Sequence, residues 1–62
     1  MSMIDDSQLV EQLVRSDAIS KKDLRRGLDL AKERGKGLYE TLIADELVDE
    51  RTLIKSVGKI LN

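Results

Sequence analysis

Residues 9–28 read LVEQLVRSDAISKKDLRRGL, and residues 38–57 read LYETLIADELVDERTLIKSV. Laid over one another at an offset of 29 positions, Leu9, Glu11, Leu13 and Leu24 meet Leu38, Glu40, Leu42 and Leu53. At the same offset Ile19, Ser20 and Leu28 meet the chemically close Val48, Asp49 and Val57. A repeat of this period is architectural, because each copy is one supersecondary unit that cannot bury its apolar face alone. The two copies, about 8–32 and 37–61, are therefore expected to fold against each other as a single domain over residues 1–62.

Working outward, the second half of each copy carries a helix start. Ser20 stands as N-cap with Asp23 in a capping-box position, while Ile19 and Leu24 form a hydrophobic staple across the cap. Val48, Asp49, Thr52 and Leu53 repeat that grammar, with Thr52 a weaker box partner. Leu24, Leu28 and Ala31 follow one buried stripe, and Gly35 suits a left-handed stop after Arg34. The first half of each copy is apolar over a wider arc: Leu9, Val10, Leu13 and Val14, then Leu38, Tyr39, Leu42 and Ile43. The expectation is an all-α domain of four short helices, about 7–16, 20–34, 38–45 and 49–61, arranged as two helix-loop-helix repeats. Leu9, Leu13, Leu24, Leu28, Leu38, Leu42, Leu53 and Val57 form its predicted core, and Ile54 and Leu61 widen the last helix toward another chain or domain.

Composition narrows the chemistry. A 62-residue chain has room for one small core, worth roughly 3–5 kcal/mol net, which suits a module better than an enzyme with a desolvated cleft. Without cysteine there is no disulfide or thiolate metal site, which is compatible with a reducing cytoplasm. Without histidine the commonest general base and transition-metal ligand are missing. Tyr39 is the only aromatic residue, which disfavours a stacking platform for single-stranded nucleic acid. No apolar run is long enough for direct membrane insertion, and Met1 to Asp6 lacks the regions of a signal peptide. A soluble, cytoplasmic, non-catalytic domain with no cofactor and no metal is the expectation.

The net charge of −1 conceals a polarity along the chain. Residues 21–36 sum to +4 and their flanks to −3 and −2, so the second helix is a basic strip between acidic neighbours. Such a strip is ordinarily a solvated face, and it can also meet an acidic partner or phosphate. Gly35, Lys36 and Gly37 join the copies and read as an interhelix turn.

The spacing of Leu38, Leu42, Leu53 and Val57, the preceding Arg34-Gly35-Lys36, and Glu40 resemble the N-terminal domain of type II secretion and type IV pilus assembly ATPases, the MshE N-terminal domain. The resemblance covers residues 8–61, and the family motif occurs in tandem. It implies a bacterial, cytoplasmic helical domain of a secretion, pilus or motility ATPase. In members that bind cyclic di-GMP, an arginine, two glycines and a glutamine of each motif surround the ligand. Here the arginine positions hold Gln8 and Gly37, and the first glycine positions hold Val10 and Tyr39. The second glycine positions hold Asp17 and Glu46, and the glutamine positions hold Ala31 and Ile60. The apolar scaffold is kept and the ligand contacts are lost, so cyclic di-GMP binding is not expected.

The function this implies is a protein-protein docking or regulatory module of such a system. Its expected contact surface centres on Val10, Val14, Tyr39 and Ile43, with Lys21 and Arg25 at the rim, and Tyr39 as anchor. A homodimer is compatible with such a surface. Two other readings are weighed against it. A cyclic di-GMP sensor would need Arg34 or Lys36 to replace the missing arginine. A small helix-turn-helix nucleic-acid binder is disfavoured by the net acidic charge, so nucleic acid is not an expected partner.

Overall fold

Three of the four helices are closed at their C-terminal ends by the same pair of backbone hydrogen bonds, and those closures set the architecture. The computed structural model describes residues 5–61. They form α1 (Asp6–Arg15), α2 (Lys21–Arg34), α3 (Leu38–Ala44) and α4 (Glu50–Leu61), with no strand among the described residues. Each helix begins and ends within one residue of its predicted bounds. Residues 1–4, part of the stretch read for a signal peptide, and Asn62 lie outside the described residues.

After α1, the Ala18 N–H donates to the Leu13 carbonyl (3.0 Å) and the Asp17 N–H to the Val14 carbonyl (3.2 Å). After α3, 29 positions on, Leu47 donates to Leu42 (2.9 Å) and Glu46 to Ile43 (3.1 Å). Lys36 and Gly35 close α2 in the same way on Ala31 and Lys32. This is the Schellman closure, whose turning residue sits in the left-handed region. Gly35 supplies it without strain at φ 66°, whereas α1 and α3 use Asp17 and Glu46, at φ 56° and 54°.

The helix starts differ from one another. Ser20 Oγ accepts from the Asp23 N–H (3.1 Å), as the sequence predicts. At α1, Asp5 Oδ1 accepts from the Gln8 N–H (3.0 Å) and Gln8 Oε1 accepts from the Asp5 N–H (3.2 Å), a reciprocal capping box. The α3 N-cap is Gly37, which has no side chain to offer. Its place is taken from the start of α1: Asp6 Oδ2 accepts from the Leu38 N–H at 3.3 Å, putting a carboxylate at the positive end of α3.

Packing crosses between the copies. α1 lies mainly against α4 and α2 mainly against α3, with a smaller contact between α1 and α3. The core these pairs enclose is Leu9, Leu13, Leu24, Leu38, Leu42, Val48 and Leu53. Two expected core positions are corrected. Leu28 is 40% exposed, because the inward residue of α2 at that level is Gly27. A Cβ on Gly27 would stand 2.7 Å from Leu42 Cδ2, so any side chain there would have to displace the buried Leu42. Val57 is only half-buried, the buried residue of α4 at that level being Ser56. Ser56 lies 29 positions after Gly27, so both long helices turn a small residue inward at that level. The Ser56 hydroxyl, 4% exposed as a residue, is satisfied by donating to the Thr52 carbonyl at 3.0 Å.

Candidate functional site

Asp5, Asp6, Leu9, Gly37, Tyr39, Glu40 and Val57 line a groove of about 470 Å³ where the N-terminal ends of α1 and α3 meet the side of α4. Leu9, Tyr39 and Val57 are its large apolar lining residues, and Asp5, Asp6 and Glu40 its acidic ones. The local structure accounts for each side chain. Asp5 stands outside α1 because it caps it, and Asp6 leans across to cap α3. Gly37 is the N-cap of α3, Tyr39 and Glu40 come from its first turn, and Val57 is a half-buried residue of α4. Asp5 and Asp6 each spend a lone pair on a backbone N–H, and Glu40 is exposed.

The predicted contact residues differ in their exposure and in the hollows they border. Tyr39 is half-buried in the groove. Val10 and Ile43 are half-buried against the core, and Ile43 borders a separate hollow with Glu46, Val48, Asp49 and Glu50. Val14 is 54% exposed near the end of α1. Lys21 and Arg25 are exposed on α2, where Arg25 shares a shallow depression with Lys22, Arg26, Asp29 and Leu30. Leu9, Val57 and the two capping aspartates were missed as groove residues. For Val57 a signal existed, since α4 has more apolar positions than one small core can cover. For Asp6 no local signal could serve, because its cap joins residues 32 positions apart.

The positions that the cyclic di-GMP motif assigns to ligand contacts have other work here. Gln8 is engaged in the α1 capping box, and Gly37 begins α3. Ala31 is buried at 7% exposure, and Ile60 packs against the core. Arg34, one of the two residues a sensor would need in place of the motif's arginine, is committed elsewhere. Its guanidinium grips the Asp45 carboxylate with both ends, Nη1 to Oδ1 at 2.8 Å and Nη2 to Oδ2 at 3.4 Å. That forked contact ties the end of α2 to the end of α3. The hydrogen bond and the charge of Arg34 hold the Asp45 carboxyl below its ordinary value, and Asp45 raises Arg34 in return. Among the described residues no group of three or more acidic side chains is arranged to hold a metal ion, and no helix is long and apolar enough to cross a membrane.

Comparison with family models, with curated proteins and with solved structures finds no match for the chain.

Proposed function

We propose that the chain is a non-catalytic docking and regulatory module of a bacterial secretion, type IV pilus or related motility system, acting in the cytoplasm. Its partner is a protein, and it seats that partner in the groove around Tyr39. The observation that carries this reading is the groove itself, lined by apolar Leu9, Tyr39 and Val57 together with acidic Asp5, Asp6 and Glu40. Apolar contact supplies affinity there, and the carboxylates select and orient a partner segment that carries Lys or Arg beside an apolar side chain. A cation placed over the tyrosine ring would gain from both.

The link to the ATPase N-terminal domains rests on the resemblance in sequence, and one further fact supports it. Asp17 and Glu46 occupy the motif's second glycine positions, and both hold the left-handed backbone that favours glycine. In this reading the tandem scaffold persists while its nucleotide contacts have been replaced by caps and core. A retained cyclic di-GMP sensor would have to take Arg34 from Asp45.

Site-specific photo-crosslinking tests the proposal. Benzoylphenylalanine at position 39 should yield one crosslink, in bacterial cells, to a component of a secretion, pilus or motility machine. The same group at Lys32, exposed on α2 and outside the groove, should not. Failure at position 39, together with calorimetric binding of cyclic di-GMP to the purified chain, would replace docking by the sensor reading.

A further inference from the structure

We propose that the outer face of α4 docks an acidic amphipathic helix of a partner protein, as a second surface that does not depend on the reading of the Tyr39 groove. Ile54 and Leu61 are 56% and 53% exposed, among the most exposed large apolar side chains of the domain. Seven residues apart on one helix, they share a face two turns long, with Gly58 between them. Nothing lies within 4 Å of where a Gly58 Cβ would stand, so this glycine, unlike Gly27, serves no packing inside the domain. It leaves a notch between two apolar knobs.

Beside that strip runs a basic one. Arg51, Lys55 and Lys59 recur every four residues, all exposed, and the only acidic residue of α4 is Glu50 in its first turn. The two ion pairs among the described residues, Arg15–Glu11 and Arg34–Asp45, use none of these three cations. A chain with net charge −1 thus turns a basic row free of ion pairs toward solvent, alongside exposed apolar side chains and with Asp49 and Glu50 only at its N-terminal end. α4 meets the core through Leu53 and Ser56, on its opposite side.

The occupant that fits is a helix. Its own apolar residues would fill the notch at Gly58, where small size lets two backbones approach, and Asp or Glu along one flank would face Arg51, Lys55 and Lys59. An anionic bilayer fits less well, because two large apolar side chains separated by a glycine offer little area to insert.

The test uses two labelled amphipathic peptides with identical leucine positions, one flanked by glutamate and the other by lysine, followed by fluorescence anisotropy. The glutamate peptide should bind, more weakly as salt rises, and the lysine peptide at least about tenfold less tightly. In a Lys55→Glu/Lys59→Glu chain that preference should invert, with the helical circular-dichroism signal retained. Ile54→Ser should weaken whichever peptide binds. Equal binding of both peptides, binding of neither, or indifference to the double substitution would overturn the proposal. So would sedimentation with phosphatidylserine-containing vesicles in place of peptide binding, which would assign the face to a lipid surface. Self-association that consumes this face, seen by size-exclusion chromatography and lost in the double variant, would assign it to a second copy.

Discussion

Asp17 and Glu46 each hold a backbone conformation that glycine holds at lower cost. A left-handed L-residue is disfavoured by about 1–2 kcal/mol, while glycine loses about 0.4–1 kcal/mol through the freedom it adds to the unfolded chain. Glu46→Gly should therefore stabilise the domain by about 0.5–1 kcal/mol, raising the melting midpoint by about 3–6 °C. Asp17→Gly should gain less, because aspartate tolerates this region better than glutamate. Thermal melts of the two variants check the order. A second residue-scale prediction concerns acid. The Asp45 carboxyl lies below its ordinary value of 3.8 in the folded chain, so its contribution is present above that value and is lost as pH falls through the folded one. Arg34, raised by the same contact, stays charged throughout this range. Urea unfolding from neutral to acid pH should give a flatter loss of stability for Asp45→Asn than for the parent. Equal slopes would mean that the forked pair is not maintained in solution.

At the scale of elements, the two long helices place their glycines in opposite environments. Gly27 sits where α2 meets α3, with a built Cβ 2.7 Å from a Leu42 that is fully buried, whereas Gly58 lies in open space on α4. Alanine favours a helix over glycine by about 1 kcal/mol, but overpacking a core costs about 1–3 kcal/mol. Gly58→Ala should stabilise by about 1 kcal/mol and Gly27→Ala should destabilise by about 1 kcal/mol, and chemical denaturation of both reads the signs directly. All four helices were legible in the sequence, because Ser20, Gly35 and the leucine spacing are local signals. The inward face of α2 was not legible in full. Periodicity favoured Leu28 over Gly27, and only the neighbouring helix determines that a side chain there would displace Leu42. The Asp5–Gln8 box was a local signal that went unread.

At the scale of the whole molecule, the fold depends on both halves at once. α1 rests on α4 and α2 on α3, and Asp6 of the first half caps the first helix of the second. A peptide of residues 1–35 should accordingly show little helix by circular dichroism, since helices this short are marginal without tertiary packing. A folded half would contradict that dependence. The site was less legible than the fold for the same reason. Tyr39 could be singled out as the lone aromatic, but its companions Leu9 and Val57 come from two other helices, and the acidic Asp5 and Asp6 are residues whose duty is capping. Docking of a protein in this groove is the proposed function. The most direct measurement is calorimetry of the partner captured from position 39 against Tyr39→Leu, which keeps apolar bulk against the core, alongside a thermal melt of the same variant. Docking there predicts a loss of about 2 kcal/mol in binding with the melting midpoint nearly unchanged, and a comparable loss through Glu40→Lys. Unaltered affinity in both variants would contradict it.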